Sequence, residues 1–455
     1  MNSSVTTEPD NTNLDFMIET PIPKLVVKMA IPTVISMLVM SVYSISDMFF
    51  VSRLGTAASA AVGIVFSIMT MIQAVGNMLG IGAGSLISRK LGEGKQKDAD
   101  SIASVAFFSA IFGGIIVLIL GIIFKTELMN FLGATSTILP YAEDFAHYIL
   151  IASPIMCGSF VLNILLRSQG KAKMSMIGLS VGGILNIILD PIFIFGLKMG
   201  IGGAAVATFI SQLIGFIILF FIYKNQKNLV KIDFALFIPS FFIFISKICT
   251  VGSASLLRQG LVVIANVLLN VFARRYGDAA IAGMTITSRV FMIVISIMFG
   301  IGQGFQPVAG FCFGAKRFDR VKYSYFFTIF ISILLQLVFA CVLFFFAKEI
   351  VQIFQKDIEV VNIGTDAIRF YALSLPFLPL SVVTNMLFQV TGQTRQSVFL
   401  SSCRQGIFFL PLIFILPHFI GLTGIELCQP ISNILSGLIS LPFVFLFFRR
   451  IHSGF

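Results

Sequence analysis

Several stretches of this sequence run further than the thickness of a membrane without a charged side chain. The clearest is 101–124, which as an α-helix would be roughly 36 Å long at about 1.5 Å per residue, against a hydrocarbon core of about 30 Å. Hydrophobic residues make up 57% of the chain and charged residues 11%, whereas about a quarter of a soluble protein is charged. The sequence therefore predicts a protein whose main solvent is lipid.

Helices, not strands, are predicted for the membrane segments. A transmembrane β-barrel needs strands of about ten residues in which polar and apolar side chains alternate, and no segment shows that pattern. We predict an all-α integral membrane protein with twelve transmembrane helices. The predicted spans are 25–50, 57–84, 101–124, 138–163, 174–197, 203–223, 240–272, 280–305, 323–346, 361–390, 397–419 and 424–448.

The basic residues between the spans predict the orientation of the chain. Cytoplasmic loops of membrane proteins carry an excess of Lys and Arg, and placing both termini in the cytoplasm produces that excess. The cytoplasmic side then receives Arg89, Lys90, Lys95, Lys97, Arg167, Lys171, Lys173, Lys224, Lys227, Lys231, Lys316, Arg317, Arg320, Lys322, Arg449 and Arg450. The other side receives Arg53, Lys125, Lys198, Arg274, Arg275, Lys348 and Lys356. We expect a multi-pass protein of the inner (plasma) membrane.

Three further features narrow the class of protein. The first twenty residues are polar and acidic and lack the basic region and cleavage site of a signal peptide, so we expect a cytoplasmic tail. The six cysteines stand singly, without the spacing of a metal site, and are expected to be small buried hydrophobes. The net charge of +11 is spread over short loops and forms no continuous nucleic-acid-binding face.

The sequence repeats itself with a period of 222 residues. The matched pairs are Gly55 and Gly277, Gly92 and Gly314, Pro154 and Pro376, and Gly170 and Gly392. Because six spans per repeat is an even number, the two repeats share one orientation and are related by an axis along the membrane normal. The predicted organisation is a cytoplasmic tail at 1–22, an N-lobe at 23–223, a cytoplasmic linker at 224–239, a C-lobe at 240–448 and a second tail at 449–455.

Acidic residues at membrane depth are the strongest candidates for function, since an uncompensated carboxylate is costly in lipid. Asp47 lies late in the first span, and Asp190 ends the fifth span four residues after Asn186, on the same helix face. A proton or a sodium ion would relieve such a buried charge, and oxygens from Asp190, Asn186 and Thr208 suit a hard cation. The alternatives are that Asp47 sits at the span's outer end and bonds to Ser44 or to a neighbouring helix, and that Asp190 with Pro191 forms a helix-ending turn at the interface.

Several motifs carry a resemblance to a known family. The segments are Ser46-Asp47-Met-Phe-Phe-Val-Ser-Arg53-Leu-Gly55, Gly84-Ser-Leu-Ile-Ser-Arg-Lys-Leu-Gly92, Arg167-Ser-Gln-Gly170-Lys and Asn186-Ile-Ile-Leu-Asp190-Pro191. From about Pro23 to its end the chain resembles the multidrug and toxic compound extrusion (MATE) transporters, in their DinF-like branch with the MepA-type exporters. The resemblance implies two six-helix lobes and transport coupled to protons or sodium ions.

The resemblance also implies roles for individual residues. The coupling cluster of that branch matches Asp47, Asn186, Asp190, Asn163 and Thr208, with a possible Na⁺ site at Asp47, Asn186 and Asp190. A proline at which the family's first helix bends matches Pro32, which by sequence alone could equally be a tolerated membrane-helix proline.

The C-lobe departs from other branches of the family, which carry an acid on the seventh or tenth helix. Here the seventh span has Arg258 and asparagines, so coupling through the C-lobe is not expected. We expect Asp366 and Arg369, three residues apart, to pair with each other. Arg258 and Arg289 are expected to extend toward a membrane surface, although both could face a cavity.

Taken together, these features predict a secondary active exporter of small, mainly cationic or amphipathic organic compounds, working by antiport with H⁺ or Na⁺ and alternating access. The alternative is a flippase for lipids or lipid-linked oligosaccharides, which would line its cavity with Arg and Lys. An enzyme is not expected, because the three histidines are widely separated and no nucleotide-binding or hydrolase motif occurs. No cofactor beyond the coupling ion is expected, and we predict a monomer.

Overall fold

The computed structural model describes Met17, residues 19–225 and residues 229–452. All twelve predicted membrane helices are present in this part of the chain, which contains no β-strand. They are α1 (Ile22–Ser52), α2 (Thr56–Gly92), α3 (Gln96–Ile123), α4 (Leu139–Ser168), α5 (Ala172–Gly196), α6 (Gly200–Asn225), α7 (Phe234–Tyr276), α8 (Asp278–Gly314), α9 (Phe318–Phe345), α10 (Ile358–Thr391), α11 (Thr394–Ile420) and α12 (Leu422–His452). Short helices Lys125–Phe131 and Ala347–Phe354 precede α4 and α10.

Most helices are longer than the sequence predicted, because a helix need not end where the hydrocarbon does. The second span, predicted to end at residue 84, continues to Gly92 through Arg89 and Lys90 in its last turn. Cations in the last turn interact favourably with the negative end of the helix dipole. Apolar length alone therefore underestimates helices that continue into water.

The segment between α6 and α7 is shorter than the predicted linker at 224–239. Helix α6 ends at Asn225 and α7 begins at Phe234, where the side chain of Asp233 accepts a 2.9 Å hydrogen bond from the Ala235 backbone N–H. That N-terminal cap explains why the helix starts so early. Most of the predicted tail at 1–22, and residues 226–228 and 453–455, lie outside the described residues.

This segment is attached to the first six helices. The Lys231 backbone N–H donates to Asp100 (2.8 Å) and the Asp233 backbone N–H to Ser104 (2.9 Å), both on α3. The first turns of α7 then pack on the same helix, with the rings of Phe234 and Phe237 5.0 Å and 5.6 Å from that of Phe108. The start of α7 is therefore packed against α3, a helix of the first six.

The sequence repeat is visible as a repeated hydrogen bond. Asn163 on α4 donates to the backbone carbonyl of Ser175 on α5 (2.9 Å), and Asn385 on α10 donates to that of Ser397 on α11 (2.6 Å). Donors and acceptors are each 222 residues apart. We call α1–α6 the N half and α7–α12 the C half.

The turns between helices repeat as well. The paired positions with positive φ are Gly55 (112°) and Gly277 (95°), Gly170 (83°) and Gly392 (81°), and Gly94 (72°) and Lys316 (56°). Glycine adopts such angles without a clash of a Cβ atom, which explains its recurrence at these turns. Lys316 is the one member of the set that carries a side chain in this conformation.

The two halves meet at close helix crossings. A Cβ atom on Gly300 of α8 would lie 2.6 Å from Cα of Val34 on α1, and one on Gly304 would lie 2.5 Å from Cα of Ala30. Further along the same crossing, the hydroxyls of Ser41 and Ser296 share a 2.7 Å hydrogen bond. Small residues let membrane helices approach backbone to backbone, as here.

A buried arginine also crosses between the halves. Arg167 on α4 is 3% exposed and donates a 2.5 Å hydrogen bond to Oε1 of Gln303 on α8. The sequence placed Arg167 among the basic loop residues, and that expectation is wrong because α4 extends to Ser168 and buries it. The basic ends of α2 and α8 are also in contact, since a Cβ on Gly314 would overlap the Arg89 carbonyl oxygen.

Candidate cation-coupling site

Glycines on α5 allow this helix to lie tightly between α1 and α6. A Cβ atom on Gly183 would be 2.8 Å from Cγ1 of Val39 on α1, and one on Gly182 would be 3.2 Å from the carbonyl oxygen of Ser211 on α6. The next turn of α5 carries Asn186. The polar residues of α5 are therefore held inside the N half, away from lipid.

Asn186 on α5 and Thr208 on α6 are joined by a hydrogen bond. The Asn186 amide Nδ2 donates to Oγ1 of Thr208 across 3.1 Å, and both residues are 1% exposed. The other amide atom, Oδ1 of Asn186, is buried without a hydrogen-bond partner. An amide oxygen with free lone pairs is left pointing into the site.

Two carboxylates complete the cluster. Asp190 is fully buried and Asp47 is 8% exposed, and the two are close enough for their charges to interact. Both carboxylate oxygens of Asp190 and Oδ1 of Asp47 are buried without a hydrogen-bond partner in the described part of the chain. Removing one charge from water without a partner costs several kcal/mol, so two such groups require protons or a cation.

The structure decides against the simpler explanations for both acids. Ser44 does not bond to Asp47, because its hydroxyl donates to the Met40 carbonyl oxygen at 3.0 Å. Asp190 does not end its helix at an interface, since α5 continues past Pro191 as a π-helical segment, Ile192–Gly196. Segments of π-helix are frequent at functional sites.

The cluster includes Tyr43, which sequence reasoning missed. Tyr43 lies one turn before Asp47 on α1, is 4% exposed, and interacts electrostatically with Asp47 and Asp190 and through its hydroxyl with Thr208. The spacing of four residues from Asp47 was the available signal, because it places both side chains on one helix face.

Asn163 is not in this cluster, contrary to the placement that the resemblance implied. Its amide donates to the Ser175 carbonyl oxygen, and Ser175 lies eleven residues before Asn186 on α5. That separation is roughly 16 Å along the helix at about 1.5 Å per residue. Asn385 makes the equivalent bond in the C half, so Asn163 joins α4 to α5 in the same way that Asn385 joins α10 to α11.

Pro32 lies inside α1, which runs without interruption from Ile22 to Ser52. Proline lacks the backbone N–H that would donate within the helix, and nearby side-chain hydroxyls donate to backbone carbonyl oxygens around it instead. Thr33 donates to the Met29 carbonyl oxygen at 2.6 Å, and Ser36 to that of Pro32 at 3.0 Å. The helix is therefore continuous through Pro32 in this conformation.

The charged residues of the C half differ from expectation. Arg258 is stacked over the ring of Phe299 at 5.1 Å instead of reaching a membrane surface, and Arg289 donates to the sulfur of Met48 on α1. Arg369 lies over a phenylalanine ring, and no ion pair joins it to Asp366 among the described residues.

The C half also holds an acid that the sequence analysis overlooked. Glu426 on α12 is 4% exposed and interacts with the charge of Asp366. Its position near the start of the last span made it resemble an interfacial residue. The C half thus carries one buried acid, but not a counterpart of the Asp47 and Asp190 pair.

Twelve membrane helices in two similar halves, with buried carboxylates confined to the membrane interior, define a multi-pass membrane transporter. The MatE family profile matches the chain twice, at residues 32–192 and 254–415. The chain belongs to the MATE family, whose members are transporters and not enzymes. The family profile thus covers both halves, in agreement with the repeated hydrogen bond and turns.

Individual relatives are similar over nearly the whole chain. The multidrug export protein MepA of Staphylococcus haemolyticus is 28% identical over 412 residues, which are 90% of each chain. A multidrug resistance MATE family transporter of the MOP superfamily, solved in an outward-facing conformation, superposes with a TM-score of 0.92 at 26% identity, over 96% of this chain and 98% of that one. A MOP superfamily transporter from Pyrococcus furiosus, described as having a binding pocket of reverse polarity, gives 0.90 at 26% identity over the same shares.

Proposed function

We propose that this protein exports small, mainly cationic or amphipathic organic compounds from the cell in exchange for H⁺ or Na⁺. The observation that carries the proposal is the pair of buried, unpartnered carboxylates Asp47 and Asp190. The similarity to the multidrug export protein MepA and to a multidrug resistance transporter supports the export of drugs.

The cluster suits a small cation. Its oxygen donors are the carboxylates of Asp47 and Asp190, Oδ1 of Asn186 and the hydroxyls of Thr208 and Tyr43. Carboxylate, amide and hydroxyl oxygens are the ligands that hard cations prefer, so Na⁺ would fit at Asp47, Asn186 and Asp190. A proton taken by one carboxylate would neutralise the same repulsion, and we propose no cofactor beyond this ion.

The orientation we propose places both termini in the cytoplasm and the protein in the plasma membrane. In that orientation, the basic ends of α2 and α8, which are in contact, face the cytoplasm. The cytoplasmic side is then closed, which supports an outward-facing conformation, as in the similar solved transporter. No second chain is required by the site, which lies within one N half.

Helix α1 connects the cation site to the contact between the halves. It carries Tyr43 and Asp47 at the site, and Val34 against Gly300 on α8, with Pro32 between the two turns of that crossing. Neutralising Asp47 removes the charge repulsion between α1 and Asp190 on α5, so the position that α1 favours changes. A bend at Pro32 would then change how α1 packs on α8, and this coupling of site to crossing is the alternating-access step that we propose.

The test is ethidium efflux from cells that express the wild type or Asp190→Asn, with the proton and sodium gradients collapsed in turn. We expect loss of efflux in Asp190→Asn, and in the wild type under one collapse, which names the ion. The matched control is Asp278→Asn, an exposed acid at the start of α8, which should export normally. Normal efflux by Asp190→Asn would contradict the proposal.

The second candidate, a flippase for lipids or lipid-linked oligosaccharides, is favoured by one observation. Two arginines of the C half, the half-buried Arg258 and the buried Arg404, lie close together, and a flippase needs cations for an anionic headgroup. Reconstituted vesicles distinguish the two functions. Translocation of fluorescent anionic lipid without ethidium transport would favour the flippase.

A further inference from the structure

A small pocket in the C half is lined by two arginines. It lies between α7, α8, α10 and α11 and has a volume of about 20 Å³. Arg258 comes from α7 and Arg404 from the π-helical segment Cys403–Phe408 of α11, and the polar residues Ser381, Asn385 and Ser401 also line it. None of these residues belongs to the cation cluster of the N half.

The positive charge in this pocket is not balanced by the protein. Arg404 is 7% exposed, and its Nη1 is buried without a hydrogen-bond partner. Arg258 has only a long 3.4 Å bond to the hydroxyl of Ser255 and the ring of Phe299 below it. The two guanidinium groups are close enough for their like charges to repel each other.

No carboxylate compensates for this repulsion among the described residues. The group that acts on the charge of Arg404 is the phenol of Tyr371, and the group that acts on Arg258 is Arg404 itself. Glu426, the buried acid of the C half, interacts with Asp366 instead. Buried charges in proteins are otherwise paired or bound to an ion, so the buried Arg404, with the half-buried Arg258 beside it, lacks a partner that its burial requires.

Of the other polar groups of the pocket, Ser401 can donate a hydrogen bond, whereas the hydroxyl of Ser381 already donates to the Leu378 carbonyl oxygen and the amide of Asn385 donates to Ser397 and Ser401. The hydroxyl of Ser401 accepts a 2.8 Å bond from Nδ2 of Asn385, which leaves its own proton available. Together with Arg404 Nη1 and the guanidinium of Arg258, this gives three donors facing a space of about 20 Å³. A space of that size holds about one water-sized sphere.

We propose that this pocket binds one small monovalent anion of the halide class, held between Arg258 and Arg404. A single negative charge at this position removes the repulsion between the guanidinium groups and satisfies the free Nη1 of Arg404. The small volume of the pocket favours a single small anion. The C half thus uses a bound anion where the N half uses a bound cation, and this inference does not depend on the proposed drug export.

Chloride dependence of thermal stability is the first test, on the purified full chain in detergent. We expect the midpoint of unfolding to be higher by about 2 °C or more in sodium chloride than in sodium gluconate at equal sodium concentration and ionic strength. Arg404→Gln should lose this difference and be more stable than the wild type in gluconate, because the repulsion is gone. Arg289→Gln, which changes an arginine outside the pocket, should keep the difference.

Anomalous diffraction from crystals grown in sodium bromide locates the ion. We expect a bromide peak between Arg258 and Arg404 that is absent from Arg404→Gln crystals. Growth in sodium acetate provides the second arm, since a carboxylate group in the pocket would identify a substrate carboxylate as the occupant and overturn the halide assignment. Equal midpoints in chloride and gluconate, or a pocket without a bromide peak, would overturn the anion site itself.

Discussion

Gly300 on α8 faces Val34 on α1 so closely that a Cβ atom on the glycine would lie 2.6 Å from the valine Cα. The neighbour is backbone, which cannot turn aside as a flexible side chain can. Val34 lies two residues after Pro32 in α1, so the backbone contact between the halves and the proline are at the same height along this helix.

Gly300→Ala is expected to force α1 and α8 apart. Overpacking of this kind costs about 1 to 3 kcal/mol, and here it acts on the helix that carries Asp47. We expect a lower midpoint of thermal unfolding and a lower rate of ethidium efflux. Gly260→Ala on α7 is the matched control, because a Cβ atom at Gly260 meets nothing within 4 Å. Equal efflux by the two variants would show that this crossing does not transmit the coupling.

Asp190→Asn should abolish coupled efflux without destabilising the protein. Removing one of two interacting buried carboxylates removes repulsion and desolvation of a charge, and the amide keeps the shape of the side chain. We therefore expect a midpoint of thermal unfolding at or above that of the wild type in the same detergent. A strong loss of stability would mean that the charge of Asp190 is structurally required.

Tyr43→Phe tests the phenol that accompanies the carboxylates. The substitution removes only the hydroxyl, which interacts with Thr208 and lies near both acids. Hydrogen bonds to charged groups contribute about 1.5 to 3 kcal/mol, so we expect efflux to fall roughly tenfold or more. The pH dependence of efflux should shift as well. Phe substitution of Tyr323, an exposed tyrosine on α9, is the control and should change neither quantity.

Asn163→Ala should destabilise the hairpin of α4 and α5 by about 1 to 3 kcal/mol, because it leaves the buried Ser175 carbonyl oxygen without its donor. Asn385→Ala should have an effect of similar size on α10 and α11. Thermal unfolding of both variants measures this. A cation-dependent stabilisation that survives in Asn163→Ala would agree with its distance from Asp190, whereas its loss would return Asn163 to the coupling site.

The sequence was sufficient for the number and type of helices because the membrane imposes a hydropathy pattern that is easy to read. The 222-residue repeat likewise predicted equivalent turns, and Gly170 and Gly392 adopt φ angles that differ by 2°. Helix ends were less predictable. They depend on caps such as Asp233 and on turns outside the hydrocarbon, where hydropathy carries little information.

The site was predictable only in part. The structure brings together four of the expected residues: Asp47, Asn186, Asp190 and Thr208. Polar side chains at membrane depth avoid lipid, so the few that occur tend to be buried against one another. Asn163, on α4, could not be separated from them without knowing which turn of α5 it contacts. The sequence placed Arg404 inside the predicted span 397–419 but did not show that this part of the span is a π-helical segment that buries it.

The attachment of the α6–α7 segment to α3 determines where the chain can flex. Backbone bonds to Asp100 and Ser104, followed by the rings of Phe234 and Phe237 against Phe108, leave no slack between the halves. A slack tether would let the halves rock as separate bodies. Here the proposed rocking of the halves would require α7 to bend beyond its aromatic first turns. The longest helix of the described chain would then store elastic energy during the motion.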